Sequence, residues 1–259
     1  MTILENLFST PGKKLIGYLP AGYPTFEGAK QIISAMIAGG VDAIEVGFPY
    51  SDPIMDGPII QAAADEALKN GANSETVFQT LKHVTDLGIP GLIMTYWNPI
   101  EKYGIENFAE SVSKNGGAGV ITPDLTIEEA GDWLSACKKY DLDPVFVVAP
   151  STSDSRLKKV TAQCRGFIYA ASLMGVTGTR SVISSQAEDL VARIRNVTSI
   201  PVSVGLGVSN AEQAKTVSKF ADGVIVGSAF IAKVQSAKDF NEALNEIETL
   251  ARELKAGIC

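Results

Sequence analysis

An α/β chain closed as a (β/α)8 TIM barrel, with a short extra N-terminal helix, is the fold this sequence predicts. Three observations predict it. Strand-like and helix-like stretches alternate along the chain until eight strands have been counted. The strands are short and nearly all apolar, as expected of a parallel sheet covered on both faces. The 259 residues contain no Pro/Gly/Ser-rich linker and no low-complexity stretch, so residues 1–259 read as a single barrel domain. An open doubly wound sheet is the alternative with the same alternation.

The elements follow in order. Met1 to Phe8 reads as a short amphipathic helix, and Leu15 to Ala21 as the first strand, broken by Gly22-Tyr23-Pro24. Thr25 can cap a helix reaching Ala38, which Gly39-Gly40 ends. Val41 to Val46 is the second strand, and helices cover Ile59 to Lys69 and Ser74 to Asp86. Gly91 to Tyr96 is the third strand, closed by Asn98-Pro99, and a helix spans Ile105 to Lys114. Gly119 to Thr122 is the fourth strand, followed by Asp124 and a helix from Ile127 to Tyr140. Pro144 to Ala149, a helix over Ser155 to Ala162, and Phe167 to Ser172 give the fifth and sixth strands. A helix from Ile183 to Arg195 leads to Pro201 to Val204, and one from Asn210 to Lys219 to Gly223 to Val226. A helix over Phe240 to Leu254 closes the chain.

The second strand carries one carboxylate, Glu45. Side chains alternate along a strand, so in a barrel Ala43, Glu45 and Gly47 face the axis while Ile44 and Val46 face the helices. A carboxylate there costs free energy unless it is paired or neutral. No strand-end Lys or Arg offers itself as its partner. A second carboxylate, Asp56, stands at the end of the Pro-, Gly- and Asp-rich loop that leaves this strand. Two carboxylates in unlike surroundings can supply an acid and a base at one pH. Active sites of such barrels lie at the C-terminal strand ends, which also hold Asn98, Asp124 and Tyr169. A structural ion pair is the competing reading of Glu45.

Gly205-Leu206-Gly207 and Gly227-Ser228 follow strands seven and eight, where these barrels bind phosphate through backbone N–H groups. Glycines that merely end strands are the plain alternative. Gly175 to Ser181 lacks the Gly-Lys-Ser/Thr ending of a P-loop. It reads as a closing loop pivoting on Gly175 and Gly178 with Thr177 toward the site, or as an ordinary connector. His83, the single histidine, has no partner at ligand spacing and reads as a helix-surface residue. Asp52, Asp56 and Glu45 lack an Asp-x-Asp pattern, and no metal site is expected.

A net charge of −7 argues against nucleic acid as a partner. No apolar run is long enough to span a membrane. Met1 to Thr10 is no secretory signal, and Cys137, Cys164 and Cys259 are scattered and odd in number. Together these give the expectation of a cytoplasmic protein without disulfides.

At these residues the chain resembles the α subunits of tryptophan synthase. The resemblance runs nearly end to end, through Tyr18 to Pro24, Glu45 to Pro58 with Gln61, and Tyr96 with Asn98-Pro99. It continues through Pro123-Asp124-Leu125, Glu128-Glu129, Gly175 to Gly178, Gly205 to Gly207 and Asp222 to Ser228. It implies a lyase of L-tryptophan biosynthesis that cleaves indole-3-glycerol phosphate to indole and glyceraldehyde 3-phosphate. The partner it implies is a β subunit, in an α2β2 complex, with pyridoxal phosphate in that partner and no cofactor in this chain. By the same resemblance Glu45 is the general acid/base, Asp56 accepts the indole N–H, and Tyr169 stands beside Glu45. Tyr18, Met94, Tyr96, Ile121 and Leu206 would meet the substrate, Thr177 would hold Asp56, and Gly178, Gly207, Gly227 and Ser228 would hold the phosphate. Leu206 stands where the family often has Phe, Thr126 where Pro is common, and residues 171–174 (Ala-Ser-Leu-Met) lack the usual Arg. A free-standing lyase, another phosphate-barrel isomerase of amino-acid biosynthesis and a non-catalytic regulator stay open as alternatives.

Overall fold

A computed structural model describes residues 1–171, 180–205 and 207–259, with 180–184 as backbone only. The strands are β1 (Lys14–Pro20), β2 (Ala43–Gly47), β3 (Gly91–Met94), β4 (Gly119–Thr122), β5 (Asp143–Val148), β6 (Ile168–Ala171), β7 (Val202–Gly205) and β8 (Gly223–Val226). They pair in parallel in sequence order, and β8 bonds back to β1 to close the barrel. The helices are α1 (Ile3–Ser9), α2 (Phe26–Ala38), α3 (Pro58–Lys69), α4 (Ser74–Asp86), α5 (Trp97–Tyr103) and α6 (Ile105–Lys114). They continue as α7 (Gly131–Lys139), α8 (Asp154–Thr161), α9 (Arg180–Arg195), α10 (Ala211–Ser218), α11 (Ser228–Ser236) and α12 (Phe240–Ile258).

Local chemistry places the helix starts. Thr2, Thr25, Asn73, Ser153, Asn210 and Asp239 each accept a first-turn backbone N–H. Period-2 alternation then sorts the strand residues into two cores. Ile44 and Val46 join the layer between sheet and helices, whereas Ile16, Ala43, Leu92, Val145 and Ile225 fill the barrel. Leu4 of α1 joins the inner cluster, and Phe8 packs on Phe167 with ring centroids 5.7 Å apart. The N-terminal helix therefore plugs the bottom of the barrel. Thr2 Oγ1 pins it by donating to Asp143 Oδ2 at 2.6 Å, while Arg165 Nε lies 3.1 Å from Asp143 Oδ1.

Two helices depart from the sequence reading. Asn98-Pro99 reads as a strand-closing turn, yet α5 begins there. Pro99 falls in its first turn, where a missing N–H costs nothing. The Trp97 N–H is satisfied by the Asp124 carboxylate at 2.9 and 3.1 Å, a cap that arrives from a distant loop. Similarly, α11 follows Gly227, where only a loop is expected; nine residues carry too little periodicity to show themselves. The helix expected over Ile127 to Tyr140 is confined to Gly131–Lys139, because Thr126 and Glu129 close a side-chain-bonded turn ahead of it. His83 is half-buried between α2 and α4 rather than on open surface, with Nε2 3.2 Å from Ser34 Oγ and 3.1 Å from the Lys30 carbonyl. Among the described residues no helix is long and apolar enough to cross a membrane.

Candidate active site

The C-terminal ends of the strands surround a cavity of about 480 Å³. Its wall includes Tyr18, Glu45, Asp56, Met94, Tyr169, Gly207, Gly227 and Ser228. Eight residues singled out from widely separated stretches thus meet in one place.

Glu45 is held by the register of β2, opposite Tyr18 on β1 and Leu92 on β3. It is fully buried, and neither carboxylate oxygen has a hydrogen-bond partner among the described residues. Burial pushes its carboxyl up from 4.5 to about 8. A charged carboxylate loses its hydration here and gains nothing in exchange, so the neutral acid is favoured.

Asp56 is positioned differently. It ends the β2–α3 loop just before Gly57, the N-cap of α3, and its carbonyl accepts from Gln61 Nε2 at 2.8 Å. Its Oδ2 accepts from Tyr96 Oη at 3.1 Å. Burial raises its carboxyl, and the Tyr96 hydrogen bond opposes that shift. The two carboxyl groups thus share one cavity in unlike surroundings, one unpaired and one bonded.

Two phenols flank Glu45, and each needs a neighbouring glycine. A Cβ at Gly47 would collide with Tyr18 Oη, and one at Gly205 would stand 2.5 Å from Tyr169 Oη. Burial and the nearby carboxylates hold both phenols well above 10, so both remain O–H donors. In the same cavity wall Gly227 is the N-cap of α11 and Ser228 its first residue. The first-turn N–H groups of α11 make this part of the wall suited to an anion. Gly207 completes it in a left-handed conformation, φ +63°, that a side chain would strain.

The remaining expectations fall elsewhere. Ile121 is fully buried in the packed interior of the barrel, beside Met94 in the β3–β4 register, and belongs to the layer beneath the cavity. Tyr96 meets Asp56 from behind rather than from within the cavity wall. Thr177, Gly178 and Leu206, and the loop from Gly175, lie outside the described residues. Sequence reasoning missed Val147 and Ile225 in the wall, although inward alternation on β5 and β8 would have found them. Among the described residues no three His, Cys, Asp or Glu side chains gather to hold a metal ion.

Fold and site together define a (β/α)8-barrel enzyme, with a buried, unpaired carboxyl, a second carboxyl and the N-terminus of α11 in one cavity. Comparison with known proteins narrows the class. The sequence model described as "Tryptophan synthase alpha chain" matches residues 4–259, and the chain belongs to that family. A tryptophan synthase alpha chain from Thermobifida fusca is 51% identical over 247 residues, 94% of this chain and 92% of that one. One from Nocardia farcinica is 48% identical over 259 residues, 98% and 95% of the two chains. A structure of Mycobacterium tuberculosis tryptophan synthase superimposes with a TM-score of 0.92 at 42% identity, covering 99% of this chain and 98% of that one. The tryptophan synthase α2β2 complex from Pyrococcus furiosus gives 0.86 at 34% identity, covering 94% and 99%.

Proposed function

We infer that the chain is a tryptophan synthase alpha subunit that cleaves indole-3-glycerol phosphate to indole and glyceraldehyde 3-phosphate. The observation that carries the chemistry is the buried, unpaired Glu45, whose carboxyl burial pushes up, in the same cavity as Asp56. The reaction needs one proton delivered and one removed. Glu45 gives its proton to indole C3, and the positive charge that develops lies on the ring nitrogen. Asp56 accepts the ring N–H and stabilises that charge, an interaction strongest in the transition state. Loss of the proton from the hydroxyl on the carbon attached to C3 sends the carbon–carbon bond electrons into the ring. Indole departs, and that carbon becomes the aldehyde of glyceraldehyde 3-phosphate. Glu45, a carboxylate after its first transfer, takes the hydroxyl proton and is restored. The Tyr169 phenol beside it can hydrogen-bond the carboxylate form.

The phosphate binds at the backbone of Gly207, Gly227 and Ser228; roles for Gly178 at the phosphate and Thr177 at Asp56 rest on the family resemblance alone. Met94 and Leu206 contribute apolar contacts to the indole ring. Residues 1–259 act as one barrel domain. The chain's own residues perform the cleavage without a cofactor; pyridoxal phosphate belongs to the β subunit, which receives the indole in an α2β2 complex. A cytoplasmic location fits the scattered, unpaired cysteines.

Indole release from indole-3-glycerol phosphate by the isolated chain, repeated with β subunit added, tests the reading. Release that rises with the partner supports it. High activity unaffected by any β subunit would favour a free-standing lyase, and no release in either case would remove the assignment.

A further inference from the structure

Tyr18 is wedged between two glycines of the site, one on each neighbouring strand's side. Its Cβ and Cδ1 lie against Gly227, where an added Cβ would approach to 3.1 and 2.9 Å, and its hydroxyl stands over Gly47. Gly227 belongs to the anion-suited part of the cavity wall, and Gly47 is two residues from Glu45 on the same inward face. The ring therefore runs alongside whatever joins an anionic group to the acid/base carboxyl. The residue is only 8% exposed, and among the described residues no hydrogen bond involves its hydroxyl, whereas the Tyr96 hydroxyl has two. Unlike the carboxylate oxygens of Glu45, this hydroxyl is not sealed off: it keeps surface in the cavity, where a ligand can reach it. Packing accounts for the ring and leaves the oxygen unexplained.

We propose that Tyr18 determines specificity by donating its hydroxyl hydrogen bond to the hydroxylated three-carbon segment between the indole and the phosphate of the substrate. This rests on the function inferred above. It differs from an apolar contact with the indole, because it requires an oxygen on the ligand rather than a ring. The donor is fixed in place by the Gly47 and Gly227 contacts, so little conformational freedom is lost when the bond forms.

The test compares Tyr18→Phe with the unaltered chain, each in complex with β subunit, by calorimetry with two ligands. Glycerol 3-phosphate carries the hydroxyls, and propyl phosphate has the same length without them. Loss of one such bond should weaken glycerol 3-phosphate about tenfold while propyl phosphate binds as before, and KM for indole-3-glycerol phosphate should rise with it. Equal losses for both ligands would reduce Tyr18 to packing and overturn the proposal. Unchanged affinity for both would overturn it as well, leaving the hydroxyl to Glu45. The same pair of titrations on Tyr169→Phe guards the assignment: selective loss there, with none in Tyr18→Phe, would transfer the contact to Tyr169. Failure of the underlying reading is separate, since it would appear as no indole release by the unaltered complex.

Discussion

Tyr96 holds Asp56 through one hydroxyl that works in both directions, donating to Asp56 Oδ2 at 3.1 Å and accepting the Met55 N–H at 2.9 Å. The phenol is itself fixed, because it is buried and the next residue's N–H is bonded to Asp124. A single side chain at the end of β3 thus sets the geometry of a carboxylate on the β2–α3 loop and favours its charged form.

Tyr96→Phe should therefore lower kcat by tenfold or more, since hydrogen bonds to charged groups contribute about 1.5–3 kcal/mol. Its pH dependence has a definite sign. The Tyr96 bond pulls the Asp56 carboxyl down, so its loss lets burial raise it further. Among the described residues, the ionisable groups that interact with Asp56, the phenols of Tyr18, Tyr96 and Tyr169, offer no compensating positive charge. The acid limb of the kcat/KM profile should move to higher pH. A limb that stays in place, with only KM raised, would show that Tyr96 merely shapes the loop.

Glu45→Gln should abolish cleavage while sparing ligand binding. A general acid/base typically contributes about 10²–10⁴ in rate, and here one residue serves both half-steps. The same substitution has a stability signature. Between 4.5 and about 8 the folded protein keeps a proton on Glu45 that the unfolded chain has lost. Stability of the parent must fall as pH rises through that window. Gln does not titrate, so its stability relative to the parent should grow from about pH 5 to pH 8 and level off above. Denaturant titrations across this range measure it, and parallel curves would place the Glu45 carboxyl near its ordinary value.

Much of this site was legible in the sequence because period-2 alternation alone decides which face Glu45 occupies. The glycines after β7 and β8 were legible for the same local reason. Tyr96 was legible as a candidate but not in its role, because its bond to Asp56 spans 40 residues and depends on where a loop returns. The start of α5 was hidden likewise, its cap being Asp124, 27 residues beyond Trp97. His83 fits the pattern: its helix is local information, whereas its contact with Ser34 depends on how α2 packs on α4.

Gly227→Asp should weaken glycerol 3-phosphate binding. Aspartate is a favourable N-cap for α11, so its carboxylate would occupy the N–H groups that a phosphate needs. Its Cβ would also press on Tyr18 Cδ1, at 2.9 Å. Calorimetry with glycerol 3-phosphate checks it, and affinity equal to the parent's would move the phosphate away from α11.

Asn98 Nδ2 donates to Tyr50 Oη at 2.8 Å, and the Tyr50 ring lies 5.4 Å from that of Tyr96. Tyr96 in turn holds Asp56. A continuous set of contacts therefore leads from the β2–α3 loop to the carboxylate. Pro49 is buried, so the outward part of this loop is Ser51 to Met55, with Ile54 75% exposed. A β subunit seated on that face would restrict Tyr50 and so shift the population toward the geometry in which Asp56 is held. Coupling of this kind is about 1–3 kcal/mol and must be reciprocal for binding. Glycerol 3-phosphate should tighten the α–β complex by the same factor that β subunit tightens glycerol 3-phosphate. Titrating β subunit into this chain, with and without the ligand, measures the factor directly. Tyr50→Ala breaks the chain of contacts at its second link while leaving Glu45 and Asp56 in place. The variant should bind each ligand alone but lose the cooperativity between them. Cooperativity that survives in Tyr50→Ala would route the coupling through other residues, and its absence in the parent would leave Tyr50 and Tyr96 as local packing.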